Sequence, residues 1–446
     1  MNLYRLLQEA EAKGRPVRVG LIGAGKFGSM FLAQCRRTPG MHLLGVVDLA
    51  EGRAAESCRT TGWPDERIDA KDPADALKTG KTWCGQDAMK LIEADALDVV
   101  IDATGHPAAG IQHALAAFRN RRHVVMVNVE ADVLAGPLLA RRAAEAGVVC
   151  SMAYGDQPAL ISEQVDWARA IGLEVVCAGK GTKYRPVYHR STPDTVWDYY
   201  GLTAEHAAAS GMNPQMFNSF LDGTKSAIEM AAVANACGLT PQSHGLSFPP
   251  AAVEELCSIL RPHNLGGVLE HEGTVEVVSC ETRDGAPVPN DLRWGTYVTF
   301  KAPDDYVRRC FSDYGLVVDD TGDYAALWRP YHLIGLELGI SVASVALRGE
   351  PTGATGEFRG DVAATAKRPL KAGEMLDGEG GYTVYGRLMR ADESLKAGVL
   401  PLGLAHGVKL KRDIAEDAAV TWDDVEFDAA DPTVAFRREM EAAFRN

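Results

Sequence analysis

Residues 17–30 read VRVGLIGAGKFGSM. Val17–Ile22 is a compact apolar run with the composition of a buried strand. It feeds without a spacer into GAGKFG, and SMFLAQC continues at helical spacing. Gly23, Gly25 and Gly28 thus stand between a strand and a helix, the context in which this glycine spacing is informative. In that setting the first glycine allows a tight turn, the second lets the backbone approach a pyrophosphate, and the third lets helix and strand pack closely. The free N–H groups of the helix start then face the anion. Gly23, Gly25, Lys26, Phe27 and Gly28 are expected to hold a dinucleotide; the alternative is a glycine-rich turn without a ligand.

The rhythm on either side agrees. Leu43–Val47 is a second strand ending at Asp48, 20 residues after Gly28. A carboxylate there accepts from ribose hydroxyls and repels a 2′-phosphate, which favours NAD; Arg53 close by keeps NADP admissible. LDVVI (97–101) is followed by DATGHP, HVVMV (123–127) by NVEAD, and VVCSMA closes the series, with helical stretches between. Unbroken apolar strands alternating with helices imply a parallel sheet covered on both faces. The carboxyl ends of such strands line the ligand crevice, so Ala103, Thr104, Gly105 and Asn128 are expected beside the cofactor and Glu130 beside the substrate. Asp132 suits a helix cap. Residues 50–90 read as an insertion with one or two helices.

From about residue 155 the pattern changes. Long helical patterns run from 193 to 210 and from 213 to 237, strands are expected near 274–280 and 294–300, and 332–347 reads as a buried helix. From residue 362 short β segments with turns follow. The expected architecture is α/β: a Rossmann-type doubly wound parallel sheet (1–155), an α+β catalytic or dimerisation domain (156–358) and a small all-β module (359–446).

The 446-residue chain carries a net charge of −14, which argues against nucleic acid and anionic membrane as partners. No run approaches the ~18 apolar residues of a spanning helix, and the N-terminus lacks a signal-peptide pattern. Nine scattered cysteines without a CxxC pair fit free thiols in a reducing cytoplasm. A small-molecule substrate and a homo-oligomer are expected. His263, Glu270, His271 and Glu272 in HNLGGVLEHEG match no zinc spacing, and no metal is expected; a Mg²⁺ would leave almost no trace in a sequence.

HVVMVNVEAD resembles the strand that homoserine dehydrogenases end with an Asn-Lys pair, and LDGTKSAIEM (221–230) is similar to their Asn-Gly-Thr helix start. More specifically, LYRLLQEAEAKGRPVRVGLIGAG, VIDATG, VMVNVEAD, AGKG, DGTKSAIEMAAVANACGL and RPYHL resemble a bacterial family of deoxyxylulose-5-phosphate reductoisomerase-like oxidoreductases. Residues 362–426 resemble its C-terminal SAF domain, a β-clip. The resemblance implies NAD(P)-dependent hydride transfer on a small polyhydroxylated or phosphorylated compound, with reduction coupled to skeletal rearrangement and a place in isoprenoid biosynthesis. Two departures stand out. Val129 replaces the lysine after the asparagine, which removes homoserine from the expected substrates, and Asp48 suits NAD where that family implies NADPH.

Without a lysine at 129 the proton carrier lies elsewhere. Lys180 follows an apolar strand between two glycines, where backbone can approach a ligand. Lys225 and Glu229 share a helix face. Arg329 and His332 form a basic pair in RPYHL. Lys180, Lys225, Glu229 and His332 are the catalytic candidates, and Glu130, Asp156, Lys183 and Arg329 the substrate-binding ones. Two other readings are a plain dehydrogenase of a hydroxy acid or polyol, and a non-catalytic NAD-sensing or carbohydrate-binding protein. A chain truncated near Gly360 is expected to keep dinucleotide binding.

Overall fold

The structure is a computed structural model describing residues 2–445. It divides into two units. The first runs to Leu160 and takes back His332–Gly356; the second holds Ile161–Tyr331 and the chain from Glu357 onward.

The first unit is built on six parallel strands: β1 (Val17–Ile22), β2 (Met41–Val47), β3 (Trp83–Gly85), β4 (Val99–Asp102), β5 (His123–Met126) and β6 (Cys150–Met152). Their order is β3-β2-β1-β4-β5-β6, so the sheet reverses direction of growth between β1 and β4. That is the doubly wound order whose crevice at the reversal receives dinucleotides. The strand interiors are mostly apolar because both faces are covered, with Arg18, His42 and His123 near the amino ends and Asp102 at the carboxyl end of β4. On one face Leu3, Leu7, Phe31, Leu32 and Ala54 join Val342 and Val345 around Val19 and Leu21.

Two expectations change here. The segment 50–90 also contributes the edge strand β3, three residues long and too short to show a period. The helix expected over 332–347 spans Gly339–Arg348 and belongs to the first unit, not to the catalytic one. Ahead of it the chain turns at Gly335, φ +68, where a Cβ would stand 2.5 Å from the Phe27 carbonyl oxygen.

The second unit has a four-stranded sheet, ordered β10-β9-β7-β8, from β7 (Glu174–Thr182), β8 (Thr274–Ser279), β9 (Thr296–Lys301) and β10 (Tyr324–Arg329). β8 runs parallel to β7, and β9 antiparallel to it. The helix Thr224–Cys237 packs on β7 and β8 and also on β11 (Gly360–Ala366) and β13 (Val384–Arg390), which explains why it is buried almost all round. The long helical patterns expected upstream are broken into Val196–Tyr200, Ala204–Ala209 and Pro214–Leu221, the last ending where Gly223 turns at φ +88.

The C-terminal segment therefore shares a unit with 161–331 instead of standing apart as 359–446. Nor is it all β. Beside β11, β13 and a three-stranded sheet of β12 (Met375–Asp377), β14 (His406–Leu410) and β15 (Val425–Glu426), it holds helices Ala391–Ala397 and Pro432–Phe444. The second of these has a signal in DPTV: the Asp431 carboxylate accepts from Thr433 N at 2.8 Å and Val434 N at 3.1 Å, with Pro432 in the first turn.

Candidate active site

The glycine loop has three different glycines. Gly23 turns at φ +98, and a Cβ on it would lie 2.5 Å from the Ala103 carbonyl oxygen after β4. Gly28 lies in the helix Lys26–Cys35, where a Cβ would lie 2.4 Å from the Gly23 carbonyl oxygen. Both are required by the protein's own packing. Gly25 is not: its φ is −74, and nothing of the protein lies within 4 Å of where a Cβ would stand. Open space above a glycine at a helix N-terminus is the cradle a pyrophosphate needs. Lys26 is exposed and Phe27 half-buried beside it.

The loop is held from behind. Asp48 Oδ2 accepts from Ala24 N at 2.9 Å and its Oδ1 from Ala50 N at 3.0 Å. The Ser57 hydroxyl donates to the Ala24 carbonyl at 3.1 Å and meets Ser29 Oγ at 2.7 Å. Each Asp48 oxygen is used once, which leaves lone pairs for a ribose hydroxyl.

After β4 and β5 a polar knot forms. Asp102, fully buried, receives His113 Nδ1 at 2.6 Å and the Thr104 hydroxyl at 2.8 Å. Asn128 Nδ2 donates to Thr104 Oγ1 at 3.1 Å, to the His106 carbonyl at 2.9 Å and to Asp102 Oδ1 at 3.3 Å. Its Oδ1 caps the helix Val129–Ala146 by accepting from Ala131 N at 3.1 Å. Asn128 is thus the helix cap, in place of Asp132, and a positioning residue for the 103–106 loop. Asp132 lies inside that helix, where the Thr355 hydroxyl lies 2.9 Å from its Oδ2, and burial pushes its carboxyl up to about 6. Glu130 is half-buried in the first turn of the same helix. Asp156 Oδ1 accepts from Gln157 N at 2.9 Å, at the start of the helix Gln157–Ala170.

In the second unit Lys180 and Glu229 come together. The ammonium of Lys180, from β7, pairs with the carboxylate of Glu229, from the helix Thr224–Cys237, and both side chains are buried. The glycines around Lys180 have a reason other than a ligand. A Cβ on Gly179 would lie 1.8 Å from the Glu276 carbonyl oxygen, and one on Gly181 would lie 1.9 Å from that of Leu292. They serve backbone packing on the face opposite Lys180.

Lys183 is engaged by Glu281, which also accepts from the Tyr188 hydroxyl at 2.7 Å. Lys225 is half-buried in the first turn of its helix. Arg329 ends β10 with its guanidinium over the Tyr331 ring at 5.3 Å, while His332 begins the segment returning to the first unit. The segment 263–272 is a polar turn: Glu270 takes Ser243 and His244, which hold its carboxyl down at about 2. Among the described residues no group of three metal-ligating side chains converges and no helix is long and apolar enough to cross a membrane. All nine cysteines are free thiols.

Several polar groups escaped the sequence reading. Glu276, fully buried on β8, accepts from Gln242 Nε2 at 2.8 Å, Ser247 Oγ at 2.6 Å and Val277 N at 2.8 Å; burial still raises its carboxyl pKa. Its signal was a lone charge within TVEVV. It also accepts from Phe248 N at 3.2 Å, a residue at φ +51 whose ring stacks on Tyr184 at 3.8 Å. His189 Nδ1 lies 2.7 Å from the Asp222 carbonyl and must donate to it, so Nε2 accepts from the Tyr184 hydroxyl at 2.8 Å; burial lowers this imidazole's pKa and keeps it neutral. Lys367 pairs with the buried Asp222 at 2.8 Å.

Residues 155–338 match the model of a family described as "Oxidoreductase DRL, catalytic domain". The chain thus carries an oxidoreductase catalytic domain. Comparison with curated proteins finds no match. Among solved structures the chain is similar to biliverdin reductase from Synechocystis sp., crystallised with biliverdin and NADP+, at 20% identity and TM-score 0.27 over 39% of this chain and 52% of that one. It therefore spans about half the length of that reductase. It is also similar to a Thermotoga maritima protein described as a probable dehydrogenase (14% identity, TM-score 0.39, 76% of this chain and 91% of that one). A third is myo-inositol dehydrogenase from Lactobacillus casei with NAD(H) and myo-inositol (17% identity, TM-score 0.28, 41% of this chain and 50% of that one).

Proposed function

We propose that this chain is a nicotinamide-dependent oxidoreductase that prefers NAD and acts on a small polyhydroxylated substrate. The observation that carries this reading is the contrast among the three glycines: the protein's packing explains Gly23 and Gly28 but not Gly25. Gly23, Gly25 and the start of the helix Lys26–Cys35 would hold the pyrophosphate, and Asp48 the ribose hydroxyls. Ala103, Thr104 and Gly105, fixed by Asn128, would flank the dinucleotide. The nicotinamide supplies the hydride chemistry.

Lys180 is the proton carrier in this reading. On reduction its ammonium hands a proton to the substrate oxygen as a carbonyl becomes a hydroxyl, and on oxidation it takes that proton back. Glu229 keeps the ammonium placed and offsets its charge in a buried setting. Lys183 is taken by Glu281, which supports the polyhydroxylated class of substrate over the phosphorylated one. Arg329 is the remaining candidate for an anionic group. The finer family reading, reduction coupled to a skeletal rearrangement as in reductoisomerase-like oxidoreductases with a SAF tail, rests on the sequence resemblance, and the carbon connectivity of the product decides it.

The test is direct. NADH binding, followed by its fluorescence, should be saturable in the wild type and lost in Gly25→Val, whose added Cβ meets no protein atom within 4 Å. An unchanged NADH affinity in Gly25→Val removes the loop from the reading. A panel of polyols and sugar derivatives, followed by NADH absorbance, then identifies the substrate.

A further inference from the structure

The carboxyl ends of β1, β4 and β5 carry the glycine loop and the Asp102 knot. At their amino ends a second cleft opens, of about 540 Å³. Val17 opens β1, Asp98 precedes β4 and His123 opens β5, and all three line it. Its size lies within the ~300–1,000 Å³ of small-molecule sites.

The lining is strongly basic in a chain whose net charge is −14. Lys13, Arg15, Arg18, Arg121 and Arg122 face only two carboxylates, Glu9 and Asp98. Glu9 pairs with Arg5 at 3.4 Å, and Asp98 Oδ2 accepts from the backbone N–H of Arg18 at 2.8 Å. Among the described residues none of the five cations forms an ion pair. The lining thus carries an excess of positive charge, and gathered cations repel one another until an anion between them relieves that repulsion.

Two details separate this cleft from an ordinary basic surface. Arg121 follows the helix Pro107–Arg119 and its Asn120 cap at φ +55, in the left-handed region. Among the described residues, other helices place a left-handed glycine at the same point, one residue past the cap: Gly14, Gly62, Gly211, Gly223 and Gly315. Arginine at such a position is strained, and residues held in this region cluster at functional sites. Next to it, Arg122 Nη2 donates to the Ala94 carbonyl at 2.9 Å, while its Nε is buried without a hydrogen-bond partner. Buried donors are normally satisfied, and an orphan beside a cleft points to a missing acceptor.

We propose that this cleft binds a small phosphate-bearing anion, at the edge of the sheet opposite the dinucleotide loop. Planar guanidinium forks match phosphate oxygens in pairs, and five positive charges call for a ligand with more than one negative charge. The open, bounded volume suits a metabolite and not a polymer.

Inorganic pyrophosphate is the probe. It is titrated calorimetrically at low salt into the full-length Gly25→Val protein, in which the loop's own anion site is blocked. Binding is expected there, and at least tenfold weaker binding once Arg121→Gly or Arg122→Gln is added. Arg121→Gly places glycine where the backbone favours it, so its melting temperature should equal or exceed that of the parent, which separates loss of the ligand contact from loss of the fold. Absence of binding in Gly25→Val, or an affinity unmoved by both arginine changes, overturns the proposal.

Discussion

Lys180 on β7 and Glu229 on the helix Thr224–Cys237, 49 residues apart, are joined as a buried ion pair. Each alone would be a charge stranded away from water, so the pair is both a structural unit and the proposed acid–base group. Removing either partner should lower stability by ~3–5 kcal/mol. For Lys180→Met we expect, in addition, a kcat lower by on the order of 10²-fold with NADH affinity within a few-fold of wild type. The double variant Lys180→Met/Glu229→Leu separates the roles: thermal stability should recover while kcat does not. Recovery of both would make the pair purely structural.

Cofactor choice should turn on Asp48. Its two oxygens hold Ala24 N and Ala50 N and keep negative charge where a 2′-phosphate would sit. NAD should bind at least tenfold more tightly than NADP, a difference of ~1.4 kcal/mol, and Asp48→Ser should narrow that gap. Calorimetry with both dinucleotides checks it; a wild-type preference for NADP would contradict the assignment.

Asp132 predicts a pH dependence of stability. Burial raises its folded-state pKa to about 6, above the ~3.9 of an unfolded aspartate. The folded state then binds the proton more tightly than the unfolded one, so this residue's contribution to stability falls as pH rises from about 4 to about 6. The loss amounts to ~2–3 kcal/mol at neutral pH. Asp132→Asn should raise the melting temperature at pH 7.5 and flatten the profile between pH 4 and 6, as read by thermal unfolding; an unchanged profile would place the pKa near its ordinary value.

The tail cannot be cut away cleanly. Lys367 pairs with Asp222 at 2.8 Å, Gly386 N donates to Thr224 Oγ1 at 2.8 Å, and Asn235 Oδ1 accepts from Gly360 N at 2.8 Å. These contacts replace the expectation of an independent module after residue 359. Lys367→Met should cost ~3–5 kcal/mol by leaving Asp222 unpaired. A chain ending at Gly360 should lose the cooperative unfolding of the second unit, seen as a lost calorimetric transition, and a truncated chain that melts like the full one would show the tail to be dispensable.

What the sequence determined by itself is local. VRVGLIGAGKFGSM dictates strand, turn and helix within 14 residues because steric limits on the glycines and apolar periodicity act over a few neighbours. The same holds for Asp48 at the end of β2 and for the run of parallel strands, whose unbroken apolar character already states that both faces are covered. Pairing across the chain was decided only in three dimensions. Lys180 was legible as a candidate for a mistaken reason, since Gly179 and Gly181 answer to the Glu276 and Leu292 backbones. Its partnership with Glu229 depends on how a helix lies on a strand. Residues 332–347 read as a buried helix but not as part of the first unit, and Lys367 carried no sign that it would neutralise Asp222, 145 residues earlier. Such contacts arise from burial: a charge removed from water needs a partner wherever the packing puts one, and the distance along the chain does not enter that requirement.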